Sequence, residues 1–158
     1  MHGLRLALIP PLLLALTALP LAAQQAPVPP KPEVEWLTPF GTPSRPFSPA
    51  TRIGNLIFLS GQIGTTADAG GELVPGGIEA ETRQTLLNIR RVLDLVGSGM
   101  DRVLKCTVMM ADMAEWDRMN AVYREMFPPG RLPARSAFGA TALALNARVE
   151  IECIAAAN

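Results

Sequence analysis

Histidine is all but missing from this sequence: its single copy, His2, stands at the extreme N-terminus. A folded domain downstream of it therefore has no Ser-His-Asp triad, no histidine metal site and no histidine-based ribonuclease mechanism. Cysteine is nearly as scarce. Cys106 and Cys153 are too few for a disulfide scaffold, and neither belongs to a paired zinc-type spacing. A charge surplus is lacking too, since 14 Lys+Arg balance 14 Asp+Glu for a formal net charge of +0. A protein held on polyanions by counterion release carries a basic excess, so nucleic acid is not an expected partner.

What the sequence does have is apolar content, with 49% hydrophobic residues over 158, which suits one domain with a real core and not a disordered chain. Residues 1–23 have the pattern of an export signal. Arg5 supplies the positive start, a Leu/Ala run from Leu6 to Leu19 the apolar centre, and Ala22-Ala23 small residues for cleavage. That run is too short and too Pro-broken for a 20-residue membrane span, so no stable membrane anchor is expected after cleavage. The expected location is periplasmic or secreted. Eleven of the chain's 15 prolines lie at or before Pro49, and residues 24–45 read as an extended, Pro-rich tether. A compact domain follows over residues 46–158.

Within that domain, Thr51–Ile53 and Leu56–Ser60 read as strands joined at a Gly54-Asn55 turn, with a Gly-rich loop from Gly64 to Gly77 beyond them. Ile78, Thr82, Leu86, Ile89, Leu93 and Val96 recur every three or four residues, the stripe of one helical face, and Gly97 suits its C-terminal cap. Val103–Met110 is apolar enough for a strand buried on much of both faces. Asp112, with Glu115 three residues on, resembles a capping box for a second helix, whose inner face is Trp116, Met119, Tyr123 and Phe127. Pro128-Pro129-Gly130 stops it, and residues 135–143 and 148–155 read as two final strands turned around Asn146. The order ββ-α-β-α-ββ favours an α+β sheet with two helices on one face and the other face open to a further copy of the chain.

Chemistry is sparse. Arg135 opens a strand after a Pro-rich bend with no acid near it in sequence, which suits either a carboxylate clamp or a surface or structural ion pair. Glu150 and Glu152 share one side of the last strand, as a functional pair or as a solvated face. Cys106 and Cys153 read as small buried residues, although an exported chain could join them. Gly61 and the Gly-rich loop match no phosphate-binding fingerprint.

Six segments nevertheless occur in a telling order: Pro46-Phe47-Ser48-Pro49-Ala50; Gly54 through Ile63; Glu81-Thr82-Arg83-Gln84 with Asn88; Met119 through Tyr123; Pro133-Ala134-Arg135-Ser136; and Val149-Glu150-Ile151-Glu152. Together they resemble the RidA/YjgF family of reactive-intermediate imine/enamine deaminases, over about residues 46–155. The resemblance implies a chorismate-mutase-like α+β fold, a homotrimer with a central β-barrel, and ligand clefts between subunits. It also implies hydrolysis of 2-imino acids, tautomers of enamines such as 2-aminoacrylate, to 2-oxo acids and ammonia, with no metal or organic cofactor. By the same resemblance, Arg135 binds the substrate carboxylate and Glu150 positions or activates water, while Gly61 and Asn120 line the cleft. Phe47 and Ala137 occupy cleft positions where the family often has Tyr and Cys, and so bear on substrate range.

If the last two strands form a simple hairpin, Arg135 lies roughly 20–24 Å from Glu150 at ~3.4 Å per residue, too far to share a small ligand within one chain. Each site would then pair Arg135 of one subunit with Glu150 of its neighbour. A different class of function on the same trimer is non-catalytic binding of a small carboxylate, or regulation by it. A holdase or ribonuclease role is disfavoured by the missing histidines, the neutral charge and the buried cysteines.

Overall fold

A computed structural model describes residues 31–41, 45–66 and 71–158. The segment 1–23 read as an export signal, and the part of the tether before residue 31, lie outside the described residues.

The sheet begins earlier than the sequence reading placed it. Val34–Leu37 (β1) pairs antiparallel with Ala50–Ile53 (β2), so part of the segment read as a tether is an edge strand. The physical reason is local. Val-Glu-Trp-Leu contains no proline, and an edge position tolerates the prolines on either side of it. Gly54, at φ 56°, turns β2 into Leu56–Leu59 (β3) as expected. Gln62–Ile63 (β4) then continues along the same neighbour, Val149–Ala156 (β7).

Between the Phe58–Ile154 pair and the Gln62–Ile151 pair, three residues (59–61) on one strand face two (152–153) on the other. That is a β-bulge, and it falls at Ser60-Gly61. Ser60 leaves the ladder to donate from its N–H to the Pro49 carbonyl at 3.0 Å and from Oγ to the Ser48 carbonyl at 2.7 Å.

Gly77–Leu95 (α1) is the first helix, ended by Gly97 at φ 77° with the Ser98 N–H donating back to the Leu93 carbonyl, a Schellman closure. Val103–Met110 (β5) follows. Asp112 caps a single 3-10 turn, Met113–Glu115, and the second helix proper is Trp116–Glu125 (α2). Glu115 does not close a capping box; its carboxylate accepts from the Arg148 guanidinium at 2.8 Å instead.

The hairpin expected at the C-terminal end does not exist. Ala134–Gly139 (β6) pairs parallel with β5, and β7 pairs antiparallel with β5 on its other side, giving the order β1-β2-β3-β7-β5-β6. Helix α2 is the crossover of a β5-α2-β6 unit, which requires parallel neighbours. The chain then passes over the end of β5, with Ala140 N–H on the Met110 carbonyl and Ala111 N–H on the Arg148 carbonyl. This connection holds Leu145 and Asn146 in the left-handed region, at φ 56° and 59°, and is no two-residue hairpin turn.

Both helices lie on one face of this mixed sheet. Alternate residues of β7 (Val149, Ile151, Cys153, Ala155) and of β5 (Cys106, Val108, Met110) share one core with Ile78, Leu86 and Ile89 of α1 and Met119 and Tyr123 of α2. Leu56, Phe58 and Phe138 point the other way and are exposed. Cys106 and Cys153 stand directly opposite each other on β5 and β7 and form a disulfide within the core.

Candidate active site

Arg135 is set by its strand. In the β5–β6 register it lies beside Cys106, and Ala137 beside Val108, so both face the helices. Arg135 is half-buried, and its guanidinium lies over two rings of α2, 5.0 Å from the Trp116 ring centre and 4.7 Å from that of Tyr123. Among the described residues it forms no ion pair. Arg148 and Arg118 differ in this respect, bridging Glu81, Glu115 and Glu79. Buried Asn120 stands four residues after Trp116 and three before Tyr123, on one helical stripe with both.

Tyr123 has a buried hydroxyl without a hydrogen-bond partner among the described residues. Burial pushes its pKa up to about 12, against the opposing pull of the Arg135 charge. The phenol is thus neutral at physiological pH.

Glu150 is set by the bulge. It pairs with Ile63 across the β4–β7 ladder and faces away from the helices. Its carboxylate packs on the backbone of Gly61 so closely that a Cβ there would lie 2.9 Å from Cδ and closer still to Oε1. Only glycine leaves that space. Burial, and then the neighbouring Glu152 charge, hold the Glu150 carboxyl above its ordinary range. The segment is pinned from behind by Asn88, whose amide donates to the Ile63 and Thr65 carbonyls at 3.0 and 2.9 Å and is itself held by Gln84. Half-exposed Phe47 immediately precedes Ser48, the residue clamped by Ser60.

The residues expected from the sequence thus fall into two groups. Phe47, Gly61 and Glu150 belong to the bulge region, whereas Asn120, Arg135 and Ala137 lie on the α2 side of β6. Arg135 sits three residues along and two strands across from Glu150, roughly 14 Å at the usual strand spacings, and the two side chains leave opposite faces of the sheet. Pairing of β6 with β5, in place of a hairpin with β7, shortens the separation from the roughly 20–24 Å that a hairpin implies. The opposite facings keep the two apart within one chain.

Trp116 and Tyr123 were not among the expected site residues. Their stripe spacing is that of core residues, and the sequence holds no signal that Arg135 would be laid against it.

The family model described as Endoribonuclease L-PSP matches residues 41–157. A 2-iminobutanoate/2-iminopropanoate deaminase of Mus musculus is 41% identical over 110 residues, covering 70% of this chain and 80% of that protein. The crystal structure of the yeast protein YEO7 superimposes with TM-score 0.73 at 35% identity, covering 80% of this chain and 100% of that one. RidA from an Antarctic Psychrobacter does so with TM-score 0.67 at 29% identity, covering 73% and 91%. By sequence and by fold together, the chain belongs to the RidA/YjgF family, to which the L-PSP description also applies.

Proposed function

We propose that the protein hydrolyses 2-imino acids and their enamine tautomers to 2-oxo acids and ammonia. The observation that carries this reading is the half-buried guanidinium of Arg135, braced by two rings and paired with no carboxylate among the described residues. A planar fork left without an anion is matched to the carboxylate of a small organic acid. The names of the similar deaminases supply the substrate class.

The chemistry asks little of the protein. The imine carbon is already electrophilic, so the site has to orient the acid and one water. As water adds to C2, Glu150 takes one of its protons and passes it to the imine nitrogen, giving the carbinolamine. Glu150 then takes the hydroxyl proton and delivers it to that nitrogen as the C–N bond breaks and ammonia leaves. A carboxyl held above its ordinary range is suited to both transfers. Water's oxygen ends in the 2-oxo group, and the imine nitrogen leaves as ammonia.

Because Arg135 and Glu150 leave opposite faces of one sheet, the proposed site joins Arg135 of one copy to Glu150 of another. A homotrimer meets this need, with Leu56, Phe58 and Phe138 of the open face supplying apolar surface for assembly. Export by residues 1–23 is part of the proposal, and a core disulfide is at home in an oxidising compartment.

The test is imine hydrolysis with 2-imino acids generated in place by an amino-acid oxidase. The parent protein should speed loss of the imine, and Arg135→Ala should lower kcat/KM by about 100-fold or more. Coexpressing Arg135→Ala with Glu150→Gln should restore part of the activity that each lacks alone, because mixed assemblies contain intact sites. Carboxylate binding without turnover, unaffected by Glu150→Gln, would select the non-catalytic reading instead.

A further inference from the structure

Trp116 opens helix α2, Tyr123 lies two turns on, and Arg135 reaches across from β6 to lie over both rings. We propose that Trp116 and Tyr123 are positioning residues for Arg135, holding its guanidinium by stacking so that its N–H edge is presented, already ordered, to the ligand carboxylate. This rests on the reading of Arg135 as the carboxylate clamp.

Three observations support it. First, a long flexible side chain needs something to order it, and the usual means, an ion pair, is lacking for Arg135 among the described residues. A carboxylate brace would compete with the ligand for the same N–H groups, whereas a ring does not. Second, stacking engages the flat faces of the guanidinium, while its donors lie in the plane of the fork. The bidentate edge therefore stays free. Third, the guanidinium lies over the ring of Tyr123, and the buried hydroxyl makes no hydrogen bond among the described residues, so it is the ring of this residue, not its polar end, that meets Arg135.

The stripe also has one polar member. Asn120 falls between the two aromatics and is 8% exposed. The stripe thus carries two rings and a single amide, with no carboxylate among its members.

The experiment compares KM and kcat for 2-iminobutanoate, and Kd for 2-oxobutanoate, in the full-length protein and its variants. Trp116→Leu should raise KM and Kd about tenfold and leave kcat within about twofold, in the range of a partly desolvated cation–π contact. Trp116→Phe should recover most of that loss, and Tyr123→Phe should behave as the parent. A merely structural role would lower kcat and thermal stability together and would not separate KM from kcat. Parent-like KM and Kd in folded Trp116→Leu overturn the proposal.

A second measurement needs neither a variant nor a ligand. In the parent protein, NMR should find the Arg135 side-chain δ protons shifted upfield by the ring currents. Signals at the positions of a solvent-exposed arginine overturn the stack whatever the activity. If those protons are shifted but the parent neither hydrolyses 2-iminobutanoate nor binds 2-oxobutanoate, the stack stands and the functional reading is what fails.

Discussion

The Glu150 carboxylate rests on the backbone of Gly61, in a space that exists because residue 61 has no side chain. The two are brought together by the bulge that puts residues 59–61 opposite residues 152–153. Without the extra residue, β3 and β4 would run as one regular strand along β7, and a side chain at 61 would have no reason to be absent.

Gly61→Ala should therefore act through Glu150. The backbone at 61 is not in the left-handed region, so alanine meets no conformational strain, and the collision is with a side chain that can swing away. Stability should fall by about 1 kcal/mol at most, while imine hydrolysis falls by about tenfold or more. In a Glu150→Ala background the added Gly61→Ala should cost almost nothing, a non-additivity that activity and thermal unfolding of the four proteins would reveal.

Glu150 itself should trade stability for function. Burial first and Glu152 second raise its carboxyl above the ordinary value of 4.5, so the fold favours the protonated form. The stability attached to this group is complete below pH 4.5 and is lost as pH rises through the raised value. Glu150→Gln removes the dependence. The variant should thus match the parent in thermal unfolding at pH 4, exceed it at pH 7.5, and be inactive at both.

Tyr123 is the chain's one tyrosine, so ultraviolet titration of the phenol reports it alone. The folded protein should titrate at about 12, against 10.0 when unfolded. With the folded value raised, the associated stability is complete below pH 10 and is lost between pH 10 and about 12. A midpoint near 10 in the folded protein would contradict the burial of the hydroxyl.

The Cys106–Cys153 disulfide closes a loop with a sequence separation of 47, which by loop entropy contributes about 4 kcal/mol. The double variant Cys106→Ala/Cys153→Ala should melt roughly 10 °C lower. Thiol counting on the denatured, non-reduced protein should find neither cysteine free, and both after reduction.

Much of this molecule is legible in the linear chain. The stripe from Ile78 to Leu93, the glycine at 97 and the apolar run Val103–Met110 define α1, its cap and β5 to within a residue or two. These features are local: each depends on the spacing of neighbours and on what a backbone can do at one position. Strand β1 was hidden because the prolines around Val34–Leu37 mask a four-residue stretch that only an edge pairing makes into a strand.

Pairing across the sheet is a different matter. The resemblance of short motifs to the family suffices to nominate Arg135, Glu150, Gly61 and Asn120, because a motif survives without its surroundings. That Arg135 lies on a parallel strand beside Cys106, that Cys106 meets Cys153, and that a ring-lined helix face receives the guanidinium all follow from where the α2 crossover sets β6 down. Contacts between residues so distant along the chain depend on loop path and packing together. No window of sequence contains either.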